Sequence, residues 1–290
     1  MSNGPQGEAE RTVPSESPAA GGSLVRRVGR AAVRLIRRLA SACLVRVLGL
    51  LRTQDMESLV TRLVARRAAL LPPDEALRFL FRLDTGFYRL QGQKALQYGG
   101  GIHTKHRHTG YHKFFLERIR PGDRVLDVGC GTGALARAIA DGAQARVVAI
   151  DVDPDKIAEA RARNAHPRVE YHVADATQEL PEGPFDTVVL SNVLEHLDER
   201  PLFLKRLLQA ARPSRLLIRV PLLERDWRVP LKRELGVEWR LTASHRTEYT
   251  VDGFSQEIEA AGLEISHQQV RWGEIWAEVA PSADTGNACA

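Results

Sequence analysis

Gly129, Gly131 and Gly133 punctuate the stretch VLDVGCGTGALA, residues 125–136, where an apolar strand must turn sharply into a helix. Glycine permits that turn and lets a ligand approach bare main chain, while the first N–H groups of the helix face whatever is bound. The next apolar run, RVVAIDV, ends on Asp151, 18 residues after Gly133. An acid there can accept hydrogen bonds from both hydroxyls of a ribose. A third run, VEYHVAD, ends on Asp175, near where a base would lie. Three strand ends of this kind, in order on one carboxyl edge, point to an adenosine-containing cofactor. Asp127 sits two residues before the glycines and would repel a pyrophosphate, so a cationic ligand fits this loop better than a dinucleotide.

These residues need a frame that brings strand ends together. From about residue 114 short apolar runs alternate with helical segments: strands at RVLDVG, RVVAIDV, VEYHVAD, FDTVVLS, RLLIRV, LEISHQQV and EIWAEVA, and helices from Ala134, from Asp155, over 201–211 and over 251–261. That alternation predicts an α/β chain with a mostly parallel sheet covered on both faces. Asp153 and Pro154 read as the cap and first position of a helix, and Asp186 as a turn residue before the fourth strand. Upstream, residues 55–70 and 74–83 carry apolar residues at helical spacing.

Several elements in the order VLDVGCGTG, VVAID, ADA at 174–176, FDTVVLSNVLEHL at 185–197 and HRTEYTVDGFSQEIEAAGLEI resemble the class I S-adenosylmethionine-dependent methyltransferases, of the type 11/12-like domain. The resemblance covers about residues 112–280. It implies a Rossmann-like seven-stranded sheet whose last strand runs antiparallel, and S-adenosyl-L-methionine as cofactor. Gly129, Cys130, Gly131 and Gly133 would pass the methionine part, with Asp127 near its amino group. Asp151 with Val152 would hold the ribose, Asp175 with Ala176 the adenine edge, and Ser191 and Asn192 would lie beside the sulfonium. Cys130 reads as a small spacer, because methyl transfer to an acceptor is a single displacement and needs no enzyme nucleophile.

For a hydroxyl acceptor some group must take up a proton. His196, Glu195 and His245 are the candidates, with loop orientation the favoured role for His196. Glu195 and His196 also match the end of an E-x-x-E-H stretch that binds a divalent metal in ribose methyltransferases of small RNAs. Asn192 replaces its first acid, and an amide oxygen is a weaker ligand than a carboxylate, so no metal is expected. The histidine-rich stretch HTKHRHTGYH, residues 103–112, follows no zinc spacing. It reads as a lid whose His108, Tyr111 and His112 face the pocket while Lys105 and Arg107 meet an anionic acceptor; a surface loop packing on the core is the alternative. The 222–250 segment is long for a connector. Its Arg225, Trp227 and Tyr249 suggest an acceptor-specificity loop.

The remaining sequence frames the partners. The net charge of +5 is uneven: residues 1–54 hold nine arginines against Glu8, Glu10 and Glu16, leaving 32 basic and 33 acidic residues for the body. A near-neutral body makes nucleic acid an improbable partner. Residues 1–23 have the composition of a disordered tail. Residues 24–54 read as a basic amphipathic helix suited to an anionic membrane surface through 24–52, or to docking on its own domain. Residues 55–111 follow as a helical cap and lid, 112–280 as the catalytic domain and 281–290 as a flexible tail. Three cysteines without CxxC spacing fit a reducing, cytoplasmic setting, with peripheral attachment at the inner face of the membrane as the extension of that reading. The expected activity is methyl transfer to an oxygen of a small-molecule, glycan or lipid-linked acceptor. The alternatives are a non-catalytic cofactor-binding module and a nucleic-acid methyltransferase using the basic arm.

Overall fold

The computed structural model describes residues 45–100 and 104–282. The tail expected over 1–23, most of the basic helix expected over 24–54, His103 and nearly all of the C-terminal tail therefore lie outside the described residues. The chain divides into two compact units, one up to Leu70 and one from Leu71. In the first, α1 (Thr53–Ala69) buries none of its side chains. The cap expected over 55–111 is thus split between the units, because α2 (Pro73–Tyr98) belongs to the second. There Arg78 donates to the Leu235 carbonyl at 3.0 Å and Lys232 to Asp84 at 3.0 Å. This helix has 26 residues, well beyond the 74–83 that apolar spacing predicts, and it runs through Gly86.

Two short helices, α3 (Lys105–Thr109) and α4 (Tyr111–Leu116), meet at Gly110, whose φ of +60° turns the chain between them. The sheet follows as β1 (Arg124–Val128), β2 (Arg146–Asp151), β3 (Val169–Val173), β4 (Thr187–Ser191), β5 (Arg215–Pro221), β6 (Leu263–Arg271) and β7 (Glu274–Pro281). Its order is β3-β2-β1-β4-β5-β7-β6. Strand β7 runs antiparallel to both neighbours, and the β1–β5 pairs are parallel, as the sequence leads one to expect. The connecting helices are α5 (Ala134–Gly142), α6 (Pro154–Arg163), α7 (Arg200–Ala211), α8 (Arg228–Glu234) and α9 (Val251–Ala260). Asp153 caps α6, accepting from the Asp155 and Lys156 amides at 3.0 and 3.4 Å.

Side chains alternate across the strands. Leu126, Val188, Leu190, Ile218 and Ile275 face α7 and α9, where Leu204, Phe254 and Ile258 meet them. On the other face Val125, Val189, Leu217 and Trp276 pack with Phe114, Phe115, Leu135 and Ile139 of α4 and α5. The same alternation sets Asp127, Ser191, Arg219 and Glu274 on the α4 face, clustered where the parallel strands end. No helix among the described residues is long and apolar enough to cross a membrane.

Phe115 is wholly buried between α4 and the sheet. Truncating it leaves a cavity beneath the helix that presents Tyr111 to the strand ends. Phe115→Ala is expected to lower the unfolding free energy by about 3–5 kcal/mol, read as a shifted midpoint in chemical denaturation.

Candidate active site

The glycine loop after β1 is shaped by its neighbours. Gly129 has φ +69°, and a Cβ there would come within 2.7 Å of Val193. Gly133 has φ +80°, and a Cβ would strike the Tyr171 ring at 2.6 Å. Asp151 braces the loop from β2: its carboxylate accepts from the Gly131 amide at 2.8 Å and from the Asp153 amide at 3.0 Å.

Two cavities open at this edge. The smaller, about 440 Å³, is lined by Gly129, Gly131, Asp151, Val152, Asp175, Ala176 and the Asn192–Val193 turn after β4. Asp175 is held below the usual carboxylate range by hydrogen bonds from Thr177. The larger cavity, about 730 Å³, is lined by Asp127, Cys130, Ser191, Glu195, His245 and residues of α3 and α4. Gly129, Asn192, His196 and Ser244 line both. Gly133 lines neither, and its part is to let α5 start against Tyr171.

At the floor of the larger cavity, burial and, secondarily, the charge of Asp151 push the Asp127 carboxyl up to about 8. Its Oδ2 is buried and lacks a hydrogen-bond partner. Burial, then Asp127 and Asp151, also raises the Cys130 thiol far above its ordinary value, so the sulfur stays protonated, consistent with a spacer. Arg219 is compensated where Asp127 is not. Its guanidinium pairs with Glu274 at 2.6 and 2.8 Å, reaches the Ser191 hydroxyl at 3.2 Å, and lies 4.0 Å from the centre of the Tyr111 ring.

The far end of the larger cavity is built by two chain segments. After β4, Asn192 takes a left-handed φ of +60°, a conformation Asn tolerates better than most residues. Its Nδ2 donates to Glu195 Oε1 at 2.9 Å. The turn Leu194–His196 is latched to the later segment because the Glu195 carbonyl accepts from the Arg246 amide at 2.7 Å. His196 and His245 thereby stand edge to face, ring centres 4.8 Å apart at 84°. Glu195 is fully buried, which pushes its carboxyl up to about 7, and its Oε2 has no partner. Burial, then the neighbouring His245, lowers His196.

Of the residues proposed from sequence, those expected to contact the cofactor meet around the two cavities, apart from Gly133, together with Tyr111, His112, Glu195, His196 and His245. His108 does not; it is exposed on α3, while Lys105 and His106 of the same short helix line the larger cavity. Arg225, Trp227 and Tyr249 also line neither cavity. Arg225 ties its own segment together through Glu248 and the Leu222 and Trp239 carbonyls. Trp227 lies on the surface, 71% exposed. Tyr249 is buried and donates to Glu257 at 2.7 Å. The 222–250 segment carries a short turn at Leu223–Arg225 and α8 in its first half, and only its Leu241–His245 stretch reaches the larger cavity. Sequence reasoning missed Arg219, Glu274 and Glu248. The available signal was a charge inside the apolar run RLLIRV, which burial obliges to find a partner.

Comparison with known proteins gives a consistent picture. A family described as a methyltransferase domain matches residues 102–268. A 2-methyl-6-phytyl-1,4-hydroquinone methyltransferase of Synechocystis sp. is 31% identical over 160 residues, covering 51% of this chain and 48% of that protein. A ubiquinone biosynthesis O-methyltransferase of Rhodopseudomonas palustris is 30% identical over 156 residues, covering 51% and 60%. The chain thus spans about half to three fifths of the length of these relatives. Among solved structures, a methyltransferase from Haloferax volcanii, in complex with the Trm112 methyltransferase activator, superposes with a TM-score of 0.52. It shares 17% identity and covers 63% of this chain and 93% of that one, a likeness of fold.

Asp127 gives a pH test in the ligand-free protein. A carboxyl whose pKa rises on folding binds its proton more tightly when folded, so it subtracts stability as pH climbs from about 4 towards 8. Asp127→Asn removes that loss. Its melting temperature should match the parent's near pH 4 and exceed it by a margin that grows up to about pH 8 in thermal unfolding.

Proposed function

We propose that this chain, which belongs to the methyltransferase-domain family, is a class I S-adenosylmethionine-dependent enzyme that methylates an oxygen of a small-molecule or lipid-linked acceptor. The observation that carries the acceptor assignment is the convergence of Glu195, His196 and His245 at one end of the 730 Å³ cavity. A nucleophile that needs no deprotonation has no use for such a group.

The smaller cavity suits adenosine. Asp151 offers carboxylate oxygens to the ribose, and Asp175 and Ala176 border the place of the base. The methionine part continues past Gly129 into the larger cavity, where the unpartnered oxygen of Asp127 is suited to its ammonium group. An ammonium beside Asp127 favours the ionised carboxylate, reversing the cost that burial imposes on the empty site. Ser191 and Asn192, at the end of β4, then border the sulfonium.

The acceptor oxygen approaches from the Glu195–His196–His245 end, which relieves it of its proton. Its lone pair attacks the methyl carbon in line with the C–S bond, and that bond's electrons return to sulfur. The products are a methyl ether and S-adenosylhomocysteine. A relative named as a ubiquinone biosynthesis O-methyltransferase supports a hydroxyl as the acceptor, and one named for a phytyl-bearing hydroquinone supports a prenylated ring as its class. The size of the larger cavity is compatible with the ring, and Leu96 and Leu241 supply apolar wall.

The test is methyl transfer from S-adenosylmethionine labelled on its methyl group to a prenylated hydroquinone, with a membrane extract as a second acceptor source. Label should enter the organic phase as a methyl ether and disappear with Asp151→Ala. His245→Ala should lower kcat by about 10²–10⁴-fold while leaving cofactor affinity in place. Absence of label in every fraction, with cofactor bound, would overturn the reading in favour of a binding module.

A further inference from the structure

The polar end of the larger cavity carries more ligand chemistry than proton transfer requires. Glu195, His196 and His245 each present an atom with a lone pair, and these atoms lie within 4.8 Å of one another. Glu195 is fully buried, yet only Oε1 has a hydrogen-bond partner; Oε2 has none. A buried carboxylate oxygen without a donor is costly, and a cation removes that cost.

The two imidazoles are held in a compatible way. His245 Nδ1 faces Glu248 Oε1 at 3.2 Å, and His196 Nδ1 faces the Ser244 carbonyl at 3.4 Å. Both partners are acceptors, so a proton on Nδ1 satisfies each contact and leaves Nε2 as the nitrogen offered to a ligand. Metal-binding histidines are fixed in this way, with the non-ligating nitrogen donating to a carboxylate or a carbonyl. Glu248 is itself anchored by Arg225 and the Leu241 amide, so the His245 ring is supported from behind.

We propose that Glu195, His196 and His245 form a divalent-metal site on the acceptor side of the cofactor cavity. Two imidazoles and one carboxylate favour a first-row transition ion such as Co²⁺, Mn²⁺ or Zn²⁺ over Mg²⁺ or Ca²⁺. Ligand bonds of about 2.1 Å require the three atoms to draw in by about 1 Å, within reach of side-chain rotation. The acid missing at Asn192, which argues against a metal in the sequence, is accounted for: Asn192 donates to Glu195 Oε1 and orients the carboxylate instead of binding the ion.

Three protein ligands leave coordination positions open towards the cavity. One carboxylate against a doubly charged ion leaves one positive charge, which an oxyanion would neutralise. The inference therefore deepens the function proposed above and rests on it for the acceptor. With the ion bound, the three side chains act through it rather than as proton acceptors: the coordinated hydroxyl gives its proton to solvent, and its oxygen then attacks the methyl carbon as the C–S bond breaks.

Metal binding is measured first without cofactor or acceptor. The full chain, stripped with EDTA, is dialysed against Co²⁺ and its visible spectrum and cobalt content are recorded. The expected result is about one Co²⁺ per chain with a nitrogen-ligand absorption band. Affinity should fall more than about tenfold in His196→Asn and His245→Asn and stay unchanged in the exposed control His267→Ala. His196 is exposed, so its substitution keeps the test decisive even if buried variants fail to fold. No bound ion, or equal binding by His196→Asn and the parent, would overturn the site. Full methyl transfer after chelation, with no ion retained, overturns the metal and leaves the function standing. Stoichiometric binding lost in His196→Asn, with no methyl transfer to any acceptor, supports the metal and overturns the function.

Discussion

The reversal of winding between β1 and β4 is the constraint on which the rest of the structure depends. From β1 the chain proceeds outward through β2 and β3, then returns to lay β4 on the other side of β1. The loops leaving β1 and β4 must therefore part to opposite faces of the sheet, opening a crevice at the carboxyl ends of the strands. The glycine loop forms one wall of it and the Ser191–His196 turn the other. Cys130 stands on the first wall and Glu195 and His196 on the second, to which His245 is fastened through the Glu195–Arg246 contact.

Within that crevice the charges are treated unequally. Arg219 enters a buried position with Glu274 as a two-pronged partner and the Tyr111 ring over its face. It is neutralised before any ligand arrives and serves as a rigid floor. Asp127 and Glu195 each keep an oxygen without a donor. The fold satisfies the buried Arg219 fully and leaves a buried carboxyl oxygen on each of Asp127 and Glu195 unsatisfied, an exception to the usual pairing of buried polar groups.

The meeting of the glycine loop with Asp151 and Asp175 at one cavity was legible in the sequence because it is local. Gly129, Gly131 and Asp151 are tied to the ends of β1 and β2, and strand ends can be read from apolar runs. Asp153 and Pro154 announced their helix for the same reason. The Glu195–His245 end of the larger cavity depends on contacts between distant segments. Nothing in the spacing of Glu195 and Arg246 reveals that the carbonyl of one accepts from the amide of the other, and on that contact the meeting of His196 with His245 rests. Residues such as Trp227 and Tyr249 had suitable chemistry, but one faces solvent and the other is committed to Glu257. Helix α2 runs on through Gly86 to Tyr98, past its apolar spacing, while its contacts with the α8 region, through Arg78 and Asp84, fall in its first half.

Gly129, Asn192, His196 and Ser244 face both spaces, so the two cavities share a lining rather than stand apart. A shift in any of these four reshapes both spaces at once. Occupants that favour different settings of the shared residues would be coupled, and the coupling free energy would be the same in either direction.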